Sequence, residues 1–345
     1  MKNRLSAVLV AASLALTGCA ASTHASAPSK LGTARRTNDL LAVVDQPGPL
    51  EVETVVSTEW AISRAGLINL DSPKAKAAGL TDSDEAIEVF FHVLHHPTLG
   101  MFIIDTGVER ALRDAPDKAA MQGLVARRMR REKMDFKKPL GDWLAEQHEP
   151  LRGVFFTHLH IDHVLGAPDL PKSTPIYSGP GETSAKLFLN MFTQGTIDRA
   201  LEGLPVVSEW RYQPDADGRF EGVVDVFGDG SLWALWTPGH TPGSTAYLAR
   251  TPHGPVLFTG DTSHTRWGWK NDVEPGTFTA DHAKNLESLG RLLRLVQEHP
   301  SIDVRLGHQQ SEARAEVKAA PAPAPTPAAA PAPAPVAAPT PAPAP

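Results

Sequence analysis

The stretch that most limits what this chain can become is THLHIDH, residues 157–163, directly behind the apolar run Val154, Phe155, Phe156. The run reads as a strand that ends and hands a polar cluster (His158, His160, Asp162 and His163) to a loop. In extended chain, residues two apart project to the same side. His158, His160 and Asp162 are therefore expected to face one way and the adjacent His163 to diverge, which suits two neighbouring ions better than one. Imidazole nitrogen and carboxylate oxygen are good zinc ligands, and a catalytic zinc keeps one position for water. In a chain with 14 histidines a lone pair would mean little, but the H-x-H-x-D-H spacing is specific.

The remaining ligands are expected from similar strand ends further along. LWALWTPGHTPGS carries His240 on a glycine-bounded turn, PVLFTGDTSH carries Asp261, and SIDVRLGHQ carries His308. Any one of these alone would ordinarily cap a turn. Three of them, added to the cluster at 158–163, make a metal constellation.

Short apolar runs with strand character recur at 51–58, 86–96, 101–107, 151–158, 174–179, 231–240, 246–251 and 255–261. Helical stretches are expected near 109–134, 138–148, 182–201 and 280–298, the last with Leu286, Leu289, Leu292, Leu293 and Val296 on one face. Strands and helices interleave, so the fold class is α/β with layered sheets and helices. Residues 41–317 are long enough for one large domain.

The ends read differently. Residues 1–19 have a basic start, a short apolar stretch and LTGC, a secretory signal peptide that resembles the bacterial lipobox. Cys19 is the only cysteine, so an exported chain has no intramolecular disulfide to form, and lipidation gives the thiol a purpose. Cys19 is thus the expected membrane attachment. Ala20 follows it where an inner-membrane retention signal would place Asp, which favours the periplasmic face of the outer membrane. Residues 20–40 are small and polar and read as a flexible tether; residues 318–345, rich in Ala and Pro, read as a disordered tail. A net charge of -6 and no long basic stripe argue against nucleic acid. The basic segment 126–138 reads as a solvated helix face, with anionic lipid as the alternative contact. Oligomeric state is left between monomer and homodimer.

The motifs DTG (105–107), THLHIDH (157–163), TPGHTPGS (237–244), TGD (259–261) and GH (307–308) together resemble the metallo-β-lactamase fold superfamily over residues 51–310. The resemblance implies a four-layer αβ/βα sandwich with a dinuclear site, most readily two zinc ions. It implies His158, His160 and His240 on one metal, Asp162, His163 and His308 on the other, and Asp261 bridging. Asp105 resembles a buried aspartate that orders the loop. Two such ions hold a bridging hydroxide at neutral pH and polarise a bound carbonyl or phosphoryl oxygen.

Asp261 departs from true metallo-β-lactamases, while TGDTSHTRWGWKND and the insertion after DTG are similar to N-acyl-homoserine lactonases, the quorum-quenching branch. The leading expectation is a hydrolase of small lactones or esters, with Asp162, Asp261 and His264 as catalytic residues. His264 stands three residues after Asp261, where those lactonases often keep a tyrosine aimed at the lactone carbonyl. Other hydrolases on the same centre (phosphotriester, sulfate ester, thioester) are the alternative. A redox protein would need iron and a flavin partner, and the chain has no glycine-rich nucleotide loop. Leu187, Phe188, Met191 and Phe192 are expected to pack on the sheet, and Trp267 and Trp269 either line a pocket or form a lid. His92, His95 and His96 are read as structural and remote from the ligands.

Overall fold

The structure, a computed structural model, describes residues 18–187 and 190–310. The expectations for residues 1–17, for Phe188 and for everything from residue 311 onward lie outside the described residues.

Alternation within the apolar runs builds the layers. Along Gly100–Ile104, Met101 and Ile103 enter one core while Phe102 and Ile104 enter a second. Along Leu232–Trp236, Leu232 and Ala234 face that second core, and Trp233 and Leu235 a third. Strands buried on both faces are why these runs read as continuously apolar. The second core lies between two sheets. The first core also takes Leu112, Leu140, Trp143, Ile197 and Leu201 from helical segments, and the third takes Leu40, Leu292 and Leu295. The result is a four-layer helix–sheet–sheet–helix sandwich.

The first sheet has eight strands in the order Ser26–Pro28, Val207–Glu209, Ile176–Ser178, Leu151–Phe155, Gly100–Ile104, Asp84–His96, Glu51–Ser63 and Asp135–Phe136. Its first five strands run parallel and the rest antiparallel. The second has six, in the order Asp303–Arg305, Gly254–Phe258, Thr245–Thr251, Leu232–Trp236, Val223–Asp225 and Thr33–Arg35. A two-residue ladder joins Cys19–Ala20 to Lys186–Leu187.

Three expectations need correction. The segment 20–40 is not a free tether: Ser26–Pro28 pairs with Val207–Glu209, and Thr33–Arg35 with Val223–Asp225. Ala21 is buried, and Ser22 Oγ donates to Asp198 Oδ1 at 2.6 Å. Edge strands are held by backbone hydrogen bonds, which small polar side chains do not advertise. The region 109–134 is not one helix but Arg110–Asp114 and Gly123–Arg128 with 3₁₀ turns between and after them. Pro116 interrupts it, and Gly123 adopts a positive φ of 60°. The helix expected at 182–201 begins only at Asn190; it buries Ile197, Ala200 and Leu201, leaving Met191 and Phe192 44% and 59% exposed.

The basic segment 126–138 is not one helix face, since the helix ends at Arg128, and part of it is ion-paired to the body: Arg130 and Lys133 meet Asp84, and Lys138 meets Glu146. The helix His282–Glu298 is capped by Asp281, whose side chain accepts the Lys284 N–H at 2.9 Å. Its buried face runs through Asn285, Ser288, Leu289, Leu292 and Leu295, so Leu286 of the expected stripe turns outward. Among the described residues no helix is long and apolar enough to cross a membrane.

Candidate metal centre

The strand Leu151–Phe155 delivers His158 and His160 in extended chain, and then the backbone turns into the short helix Ile161–Val164. That turn is where alternation fails. Rather than His163 diverging alone, Asp162 and His163 move away together from the pair His158 and His160. The ligand atoms fall into two groups, each within 4.8 Å throughout: His158, His160, His240, Asp261; and Asp162, His163, Asp261, His308. All seven side chains named from the sequence are brought together, with Asp261 shared.

The rings of His158, His160 and His240 lie 4.6–4.8 Å apart at 75–88° to one another. His240 Nε2 and His160 Nδ1 approach to 2.9 Å. On the other side, His308 Nε2 is 3.2 Å from both Asp162 Oδ2 and Asp261 Oδ2, and His163 Nε2 is 3.2 Å from Asp261 Oδ2. The outward nitrogens are held from behind. Nδ1 of His158 meets Thr157 Oγ1 at 3.1 Å, that of His163 meets Asp105 Oδ2 at 2.8 Å, that of His240 meets Thr279 Oγ1 at 3.3 Å, and that of His308 meets the Glu88 carbonyl at 3.1 Å. Such partners fix ring orientation and leave Nε2 facing inward. Asp105 itself sits at φ 56°, a left-handed conformation that Asp tolerates. Its carboxylate also accepts the Thr157 N–H and Oγ1–H at 2.8 and 2.9 Å.

Whether this set fits a metal can be judged from its unsatisfied atoms. His158 Nε2, His163 Nε2, Asp261 Oδ1 and both nitrogens of His264 are buried without a well-directed hydrogen bond, although Nε2 of His163 and of His264 lie 3.2 and 2.9 Å from Asp261 Oδ2. Buried polar atoms are normally satisfied, so a cluster of inward-facing orphans on good ligand types fits cations. The titration behaviour agrees. Burial, with neighbouring imidazoles adding to it, pushes His158 and His240 well below the ordinary histidine range; burial brings His160 down to about 4. Burial thus favours the neutral form of these rings, the form that binds a metal. Burial opposes charge on His163 and His308 too, but the carboxylates beside them outweigh it, raising His163 well above its usual value and His308 to about 10. A cation there must displace those protons. Two glycines are required by space: a Cβ on Gly307 would come within 2.2 Å of Asp261 Oδ1, and one on Gly239 within 2.2 Å of the Asn285 backbone.

His264 is 2% exposed, with Nε2 2.9 Å from Asp261 Oδ2 and its ring 5.1 Å from those of His240 and His308. It therefore belongs to the centre. Trp267 and Trp269 lie on the helix Arg266–Asn271 and pack, partly buried, against the first and third cores. His92 is not remote: it lines the same small cavity as Asp105, His163 and His308, with its ring 4.5 Å from Phe258 and Nδ1 2.9 Å from Thr54 Oγ1. The strand that holds it crosses behind the centre, which distance along the chain conceals. His95 and His96 pair with Glu149 and Asp229 away from the site. Sequence reading missed Glu182, a buried carboxylate joined to both ligand loops; a lone Glu in a Gly/Pro-rich turn carries no signal.

Residues 100–308 match the Metallo-beta-lactamase superfamily. The N-acyl homoserine lactonase AttM of Rhizobium johnstonii is 30% identical over 233 residues, 66% of this chain and 83% of that protein. Against three further proteins of that name the match spans 56% of their length. Among solved structures, AiiA of B. thuringiensis with N-decanoyl-L-homoserine at its active site superposes at a TM-score of 0.53. It is 19% identical, over 76% of this chain and 94% of that one. AidC, described as a dizinc quorum-quenching lactonase, superposes at 0.50 with 13% identity over 81% and 92%. At these identities the superpositions speak to fold alone. This chain belongs to the metallo-beta-lactamase superfamily.

Proposed function

We propose that this protein is a dinuclear metal-dependent hydrolase that opens small lactones or esters. The observation that carries the reading is Asp261, the one side chain common to both ligand groups; the lactonase names of its relatives supply the substrate class. His158, His160 and His240 would hold one ion and Asp162, His163 and His308 the other, with Asp261 reaching both. Zinc is the proposed metal, on the nitrogen-rich donor set and the dizinc relative. When bound, two such ions make water a nucleophile at neutral pH and polarise the carbonyl they touch.

The chain's own residues do the rest. Asp105 fixes His163, and Thr279 and Thr157 fix His240 and His158, so little reorganisation accompanies reaction. His264 offers an N–H beside Asp261, placed to donate to the substrate oxygen on which charge develops. Asp162, 16% exposed, is the most open of the acidic ligands and marks the side facing solvent. The test is a purified, metal-analysed chain assayed against an N-acyl homoserine lactone, a simple lactone, an aryl ester and a phosphotriester. Lactone or ester turnover should vanish with a chelator and return with zinc. A two-metal protein inert toward every lactone and ester, or one that prefers the phosphotriester, sinks the proposal.

Export and lipid anchoring through Cys19 are proposed alongside, on the LTGC sequence. Because the Cys19–Ala20 strand is paired to Lys186–Leu187, an acyl anchor there would leave the domain without an intervening tether. Cys19→Ala should move the protein from the membrane to the soluble fraction. A variant that still sediments with membranes in high salt would refute the anchor.

A further inference from the structure

We infer that Glu182 is a positioning residue that sets the bite of one metal-ligand group, that of His158, His160 and His240, by tying together the two segments that supply it. The inference rests on the proposed reading of the cluster as a two-metal centre. Glu182 lies in the turn after Ile176–Ser178 and is 2% exposed. Its Oε2 accepts the Leu159 N–H at 2.9 Å. Its Oε1 accepts the Gly243 N–H at 2.7 Å and the Thr241 hydroxyl at 2.5 Å. Leu159 sits between His158 and His160, and Thr241 directly follows His240. One buried carboxylate thus joins segments about 80 positions apart, at the neighbours of all three histidines.

The packing around it leaves no room for side chains at the neighbouring glycines. A Cβ on Gly243 would lie 2.7 Å from Glu182 Cγ, and one on Gly179 would lie 1.7 Å from the Gly243 carbonyl oxygen. Backbone rests on backbone, and the carboxylate spans the seam beside a single backbone hydrogen bond, from the Thr245 N–H to the Thr157 carbonyl at 2.9 Å. Thr241 is further locked by Ser244, its hydroxyl 2.7 Å from Ser244 Oγ and its N–H donating there at 2.9 Å. Both carboxylate oxygens receive donors, so an amide in this position would turn its NH₂ toward at least one N–H or O–H. Glu182 makes no hydrogen bond to Asp162, His163, Asp261 or His308 or to their immediate chain neighbours. There, Asp105 holds His163, and the Gly307 and His308 N–H groups donate to the Ser263 and His264 carbonyls. Asp105 touches His163 directly and reaches the first group only through Thr157, which meets His158 Nδ1, so the two ions should lean chiefly on different carboxylates.

The experiment is chelator-competition titration of the zinc-loaded full chain, in wild type, Glu182→Gln and Asp105→Asn. Unfolding of each metal-stripped protein is followed in parallel. Supports of this kind typically change metal affinity by about 10–100-fold. Glu182→Gln should weaken one ion by that factor and leave the other unchanged. Asp105→Asn should weaken the other ion, and the double variant both. Should Glu182→Gln fail to fold, Thr241→Val, which removes only one of the three donors, should shift the same ion by a smaller factor. Wild type holding two ions while Glu182→Gln and Thr241→Val release both as wild type does overturns the clamp alone. Equal weakening of both ions also overturns it, since that is the signature of general fold support. A wild-type chain that binds no metal overturns the two-metal reading and the inference with it.

Discussion

Asp261→Ala is expected to abolish hydrolysis and to weaken both metal ions, whereas His160→Ala should release one. The reason is position. Asp261 Oδ2 lies 3.2 Å from the Nε2 atoms of His163 and His308, 3.5 Å from that of His240 and 3.6 Å from that of His158. Among the described residues it is the one side chain that belongs to both candidate ligand groups. Removing a residue that merely supports a ligand costs about 10–100-fold, so loss of the shared ligand should exceed about 10²-fold in kcat/KM. Elemental analysis beside steady-state kinetics checks both halves. An alanine variant that keeps two ions, or full activity, would show that the centre is not built around this carboxylate.

The second large effect is expected at His264. Its burial and its 2.9 Å approach to Asp261 exclude a solvent-facing bystander. With both ions retained, His264→Ala should lower kcat by about 10²–10³-fold, the range found for removal of one donor to a developing oxyanion, with a smaller change in KM. His264→Tyr should restore part of the lactone turnover by returning a donor at that position. Unchanged kcat in the alanine variant would remove His264 from the chemistry. Loss of an ion instead would make it a ligand.

The two halves of the problem were unequally legible in the sequence. The clustering of the candidate ligands was readable because they follow the ends of apolar runs, and runs buried on both faces, such as 100–104 and 254–258, are unambiguous in composition. The grouping was not readable from alternation, because the chain stops being extended at Ile161 and a single helical turn swings Asp162 and His163 together. Glu182, Thr279 and Glu88 were invisible for a different reason. They act through hydrogen bonds to segments 23 to 220 positions away, and nothing local marks a residue for such a task. Weak strands such as Thr33–Arg35 and Val223–Asp225 escaped because three residues give no period to read.

The short span from Ser26 to Arg35 supplies the outermost strand of both large sheets. Its partners, Val207–Glu209 and Val223–Asp225, are made about 180–190 positions later. This span thus cannot take its place until most of the domain exists, and closing so long a loop is entropically costly and slow. Until then each sheet presents a bare edge, the kind of surface through which chains find one another and aggregate. For a protein of this topology, yield should fall the longer Val207–Glu209 and Val223–Asp225 stay unpaired, a kinetic vulnerability that ends once Ser26–Pro28 and Thr33–Arg35 have docked.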